Sequence, residues 1–124
     1  MLRVLVVDGD RDTAESCAAL VALWGHEARA CFSGPEALAV AASFRPQVAL
    51  LDLEMPATTG AALARQLSSG PAPRPWLVTV TATHPFRLSP ADVETFDCRL
   101  RKPAGPEGLR DLLRAAEAAG VPGR

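Results

Sequence analysis

Val48-Ala49-Leu50-Leu51-Asp52 sets four apolar residues in unbroken succession against one acid. Short runs of this kind read as strands buried on both faces. The chain repeats the pattern at Val4-Leu5-Val6-Val7-Asp8 and, with a hydroxyl in place of the acid, at Leu77-Val78-Thr79-Val80-Thr81. Weaker strands read at Ala28 to Cys31 and Cys98 to Arg101. Helical spacing fills the gaps. Cys17, Leu20, Val21 and Trp24 recur at i, i+3, i+4 and i+7 before Gly25, a natural stop. Ala37, Val40, Ala41 and Phe44 repeat that spacing after Ser33-Gly34-Pro35-Glu36, which reads as a helix start. Gly60, Leu63, Ala64 and Leu67 follow suit, as do Leu109, Leu112, Leu113 and Ala116. Pro85 and Pro90 confine a weak fourth helix to about Ala91 to Thr95. Strands alternating with helices predict a doubly wound parallel sheet of five strands, in the common order 2-1-3-4-5.

Composition narrows the function. The 124 residues suit one domain, with 48% hydrophobic and 22% charged residues, which is ordinary for a globular chain. A formal net charge of -1 lacks the basic excess of a nucleic-acid binder. No apolar run approaches a membrane span, and the apolar start is too brief for a signal peptide. Cys17, Cys31 and Cys98 form no C-x-x-C pair, so a disulfide framework or zinc site is not expected and a reducing cytoplasm fits. The three thiols read as small buried hydrophobes. His26 reads as a surface turn residue, and Trp24 and Trp76 as core-edge aromatics.

The strand ends carry the chemistry. In open parallel sheets, sites lie outside the carboxyl ends of the strands. There the sequence puts Asp8, Asp52, Thr81 and Lys102. With strands one and three adjacent, Asp8 and Asp52 face each other across one strand spacing, roughly 5 Å. Carboxylates this close repel, and a hard divalent cation, Mg²⁺ above all, suits their oxygens. Lys102 is the only lysine of the chain. Its compact ammonium suits a single phosphoryl oxygen, where arginine would offer a rigid fork. Plainer readings stay open: helix caps or loop acids for Asp8 and Asp52, a strand-end hydroxyl for Thr81, a surface cation for Lys102.

These residues, taken with their order and spacing, resemble the receiver domain of two-component response regulators, of the chemotaxis-regulator type. Val4 to Asp8 resembles the first strand and acidic corner. Leu50-Leu51-Asp52-Leu53-Glu54-Met55-Pro56, with Gly60, resembles the phosphoacceptor segment. Val80-Thr81-Ala82 and Lys102-Pro103 resemble the Thr/Ser-Ala and Lys-Pro signatures. The resemblance covers about residues 1 to 119 and leaves 120–124 as a tail. It implies a flavodoxin-like (βα)5 fold in which Asp52 accepts a phosphoryl group, aided by Thr81 and Lys102. Asp8, Asp52 and the backbone carbonyl of Glu54 would hold Mg²⁺. The implied partners are a sensor histidine kinase or histidine phosphotransfer protein, and a downstream effector or fused output domain, with neither nucleic acid nor membrane. A switched surface near the weak fourth helix and the fifth strand, and a cis peptide before Pro103, are implied as well. The module would be a phosphoacceptor rather than an enzyme.

Two positions depart from the pattern. Gly9 stands where the family usually carries a second metal-ligating acid, so Mg²⁺ affinity is expected to be weakened, with Asp10 or Glu54 as partial substitutes. Arg99 stands where the family often has an aromatic, so the output step is expected to differ. Gly9 also admits a second reading, a pseudo-receiver that binds partners without being phosphorylated. Asp8-Gly9-Asp10 further resembles the opening of haloacid-dehalogenase-like phosphatases, with Asp8 as nucleophile and Asp10 as acid/base. Asp12 then stands where that family expects Thr or Val. A dinucleotide fold needs glycine amides at the first turn, where this chain carries three acids.

Overall fold

Five parallel strands form one sheet in the order β2-β1-β3-β4-β5. The computed structural model describes residues 1–52, 60–69, 74–81, 95–101 and 106–119. The strands are β1 (Arg3–Val7), β2 (Glu27–Cys31), β3 (Val48–Asp52), β4 (Trp76–Thr81) and β5 (Cys98–Arg101). The helices among the described residues are α1 (Arg11–Leu23), α2 (Gly34–Phe44), α3 (Gly60–Ser69) and α4 (Pro106–Ala119). The sheet order, all five strands and these four helices agree with the sequence pattern. Of the weak helix expected at about Ala91 to Thr95, residues 91–94 lie outside the described residues, as does the peptide bond before Pro103.

Strand alternation explains why the apolar runs are continuous. Successive residues point to opposite faces, so a strand covered on both sides needs apolar residues at every position. Val4, Val6, Val48, Leu50 and Val78 pack with Ala14 and Val21 of α1 and Leu109, Leu112, Leu113 and Ala116 of α4. Leu5, Val7, Ala49, Leu51 and Leu77 pack on the other face with Ala37 and Ala41 of α2 and Leu63, Ala64 and Leu67 of α3. Trp24 and Trp76 sit at the edge of the first of these layers, as their sequence context predicts.

Local chemistry sets the helix ends. The Ser33 hydroxyl accepts the Glu36 N–H at 3.3 Å, while Glu36 Oε1 accepts the Phe32 N–H at 2.6 Å. The first bond satisfies a donor that the first turn of α2 leaves without an intrahelical partner, and the second ties that turn back to the residue before the cap. At the end of α1 the chain reverses through Gly25, whose φ of 91° suits glycine, and Gly25 N–H donates to Ala22 O at 3.0 Å. That reversal corrects the surface reading of His26. The turn lays its imidazole against the start of β1, where Nδ1 accepts the Leu2 N–H at 3.0 Å and the side chain is only 9% exposed.

Polar side chains lock the strand starts. Gln47 is buried; its Oε1 accepts the Arg3 N–H at 3.0 Å and its own N–H donates to Arg3 O at 2.8 Å. Asp97 does the same for β4 and β5. Its Oδ2 accepts the Leu77 N–H at 2.7 Å, its N–H donates to Leu77 O at 2.8 Å, and Arg74 pairs with it at 3.1 Å. Asp97→Ala therefore strands a strand-end amide and removes a charged acceptor. The expected cost is about 2 kcal/mol of unfolding free energy, read as a lower urea midpoint at unchanged slope; an unchanged midpoint would contradict that role.

Candidate functional site

The register of the sheet builds the site. Val7 pairs with Leu51, so the next residues, Asp8 and Asp52, leave β1 and β3 side by side. Both carboxylates are buried, at 5% and 6% exposure. Asp52 pairs with Val80, which places the backbone of Thr81 one step further along the neighbouring strand. Thr81 pairs with Arg101, the residue before Lys102. Topology thus brings Asp8, Asp52 and Thr81 to one rim. Lys102 and Glu54 lie outside the described residues.

The loop after β1 is shaped by its acids. Asp8 N–H donates to Cys31 O at 3.1 Å, extending the pairing with β2 by one bond. Asp8 Oδ1 accepts the Asp10 N–H at 2.9 Å, a side-chain-closed turn that carries the chain from strand into helix. Asp10 occupies the N-cap of α1 in extended conformation, and its Oδ2 accepts the Thr13 hydroxyl at 2.6 Å. Arg11 stacks its guanidinium 4.0 Å above the Phe32 ring and pairs with Glu15 at 3.3 Å. The bond from Thr13 and the stack on Phe32 were not legible in the sequence; both join side chains whose approach depends on how the loop turns.

Two buried carboxylates on adjacent strands are hard oxygen donors. That donor set fits Mg²⁺, which keeps several waters and takes one or two carboxylates together with phosphate oxygens. Gly9 adds no side-chain ligand. Among the described residues, no group of three or more His, Cys, Asp or Glu side chains is placed to hold a metal.

The cysteines are all free thiols. Burial, and then the Asp8 charge, pushes the Cys17 thiol up to about 11. Burial and Glu36 push Cys31 up to about 11 as well, with Arg29 opposing. Folded thiols therefore hold protons that unfolded thiols release from about pH 9. Their stabilising contribution is complete below that pH and is lost as pH climbs toward 11. The chain has no tyrosine and one lysine, so few other groups titrate in this window. Urea midpoints should fall from pH 8.5 to pH 10.5, and the fall should flatten in the Cys17→Ala, Cys31→Ala double variant. An equally steep fall in that variant would refute the assignment.

Comparison with known proteins agrees with this geometry. The profile of the response regulator receiver domain family matches residues 4–114. Response regulator MprA of Mycobacterium avium (strain 104) is 36% identical over 115 residues, covering 92% of this chain and 50% of its own length. Its counterpart in Mycobacterium sp. (strain KMS) is 35% identical with the same coverage. The chain thus spans half the length of these curated relatives. Among solved structures, a CheY-like receiver domain from Methylobacillus flagellatus superposes with a TM-score of 0.86 at 27% identity, covering 94% of this chain and 98% of that one. The N-terminal domain of an uncharacterized protein from Wolinella succinogenes shares the fold, with a TM-score of 0.88 at 21% identity and 97% coverage of both chains.

Proposed function

Because the chain belongs to the response regulator receiver domain family of two-component systems, we propose that it accepts a phosphoryl group on Asp52 from a sensor histidine kinase or a histidine phosphotransfer protein. The supporting observation is the pair of buried carboxylates, Asp8 and Asp52, at the ends of adjacent strands. A carboxylate oxygen of Asp52 attacks the phosphorus of a donor phosphohistidine. The phosphorus–nitrogen bond breaks, the imidazole leaves with the electron pair and takes up a proton, and an acyl phosphate remains on Asp52. Burial of Asp52 restricts water and strengthens every charge interaction around the transferred group. In this reading the Thr81 hydroxyl donates to a phosphoryl oxygen and the Lys102 ammonium neutralises another. Mg²⁺, held by Asp8, Asp52 and the Glu54 carbonyl with Asp10 as a further candidate, supplies positive charge against the phosphoryl oxygens when bound. The Thr13 hydroxyl holds the Asp10 carboxylate at the start of α1, and Gly9 brings no acid, which together support the expectation of weakened metal affinity.

The module then acts by presenting a changed surface to an effector or a fused output domain, not by turning over a substrate. No helix among the described residues is long and apolar enough to cross a membrane, and the proposed setting is the cytoplasm.

Gly9 supports one other reading, a pseudo-receiver that keeps the fold and binds partners unphosphorylated. Intact-mass spectrometry after incubation with acetyl phosphate and Mg²⁺ separates the two. The phosphoacceptor reading expects the mass of one phosphoryl group on the wild type and none on Asp52→Asn. Identical spectra for both proteins would favour the pseudo-receiver.

A further inference from the structure

β2 is an edge of the sheet; among the described residues no strand lies beyond it. Its bonds to β1 use alternate residues. Glu27 N–H donates to Leu2 O at 2.9 Å, and Cys31 O accepts the Asp8 N–H at 3.1 Å. Ala28 and Ala30, of the other parity, therefore turn their backbone N–H and C=O groups outward, a template for another strand. Natural edges are commonly blunted by proline, a bulge or repelling charge. β2 has no proline, its register with β1 is unbroken, and its exposed charges, Glu27 and Arg29, are one base and one acid. Both lie on one face of the strand, where Arg29 is held 5.3 Å from the centre of the Phe44 ring. On the other face Ala28 and Ala30 are only half-buried against the layer that contains Ala14 and Val21 of α1. The flank of α1 toward this edge is small as well. Arg110 of α4 lies 5.8 Å from Trp24 on one flank, while Arg11 stacks on Phe32, just past β2, on the other. Helical spacing puts Ala18 and Ala22 on the Arg11 flank.

We propose that β2 pairs with β2 of a second copy of this chain, antiparallel about a two-fold axis through Ala28, so that two sheets join edge to edge. The two Ala28 residues exchange both backbone hydrogen bonds, and Glu27 of each copy stands directly opposite Arg29 of the other. The same ion pair thus forms twice, as a two-fold contact requires. Pairing about Arg29 instead would form more backbone bonds but set Arg29 against Arg29, so the charges choose the register. The two copies of α1 then lie side by side on one face, where Ala18 and Ala22 admit the roughly 8–10 Å approach of packed helices. This edge is the one remote from β5. Pairing there needs no phosphoryl group and leaves the strand ends that carry Asp8 and Asp52 uncovered.

Contacts of this small size are transient, so sedimentation velocity of the full chain is run from about 10 to 500 μM. The weight-average coefficient should rise with concentration toward that of a dimer. Glu27→Arg and Arg29→Glu each set like charges opposite one another twice across the axis, and each should weaken self-association by about tenfold. The two single variants, mixed in equal amounts, should associate with each other as tightly as the wild type does with itself, because the mixture restores opposite charges at both positions. The double variant Glu27→Arg, Arg29→Glu should self-associate again for the same reason. Both positions are exposed, so these variants keep the fold. A wild type that stays monomeric across the range would overturn the proposal. A dimer equally tight in wild type and Glu27→Arg would also overturn it, since that dimer would use another face. A mixture no tighter than either single variant alone would overturn the register and the proposal with it.

Discussion

Gly9→Asp should tighten Mg²⁺ binding by about tenfold, because affinity for a hard cation follows the number of charged oxygen ligands. In the wild type, two buried carboxylates, Asp8 and Asp52, form the acidic corner. The adjacent acid is missing, and Asp10 is fastened to the start of α1 by the Thr13 hydroxyl. An aspartate at position 9 adds a full charge directly beside Asp8. The backbone permits it: among the described glycines Gly25 is the one with positive φ, so a side chain at position 9 meets no left-handed strain. The same substitution should lower the stability of the metal-free protein, since it crowds one more negative charge into the corner. Isothermal titration with Mg²⁺ at fixed ionic strength reads the effect directly. Equal dissociation constants for variant and wild type would show that Gly9 is not the weak point of the corner.

Leu51→Ala should cost about 2–5 kcal/mol of unfolding free energy. Leu51 is fully buried, lies beside Val7 and Thr79 in neighbouring strands, and packs in the layer formed by Ala37, Ala41, Leu63 and Ala64. A truncation in the middle of a sheet leaves a cavity that flanking strands cannot close without breaking register. Small domains have only about 5–15 kcal/mol in total, so the variant should unfold at a markedly lower urea concentration. A loss below about 1 kcal/mol would mean that the α3 layer can collapse onto the vacated space.

Much of this was legible in the sequence, for a physical reason. A parallel sheet covered on both faces demands apolar residues at every strand position, so Val4 to Val7 and Val48 to Leu51 declare themselves without alternation. The common order for five such strands then places Asp8 beside Asp52, and the sheet has that order. Side-chain locks were less legible. Asp97 carries no pattern in the sequence, and only the folded chain shows it accepting the Leu77 amide. His26 reads as a turn residue, and only the reversal at Gly25 reveals that its imidazole is covered. The buried hydroxyl of Thr79, with no partner among the described residues, was hidden inside what reads as an ordinary strand, because threonine is at home in strands and its lack of a partner is a tertiary fact. Contacts between neighbours in sequence leave a pattern; contacts across the fold leave none in a single chain.

On this reading Asp8 and Asp52 form one cation-dependent phosphoacceptor corner. The most direct measurement is the rate of phosphoryl incorporation from acetyl phosphate into wild type and Asp8→Asn, followed by intact mass from chelator through rising Mg²⁺. The wild-type rate should climb and saturate with Mg²⁺, and the Asp8→Asn rate should stay low and nearly flat. Incorporation into both proteins at the same rate, unaffected by chelator, would contradict it.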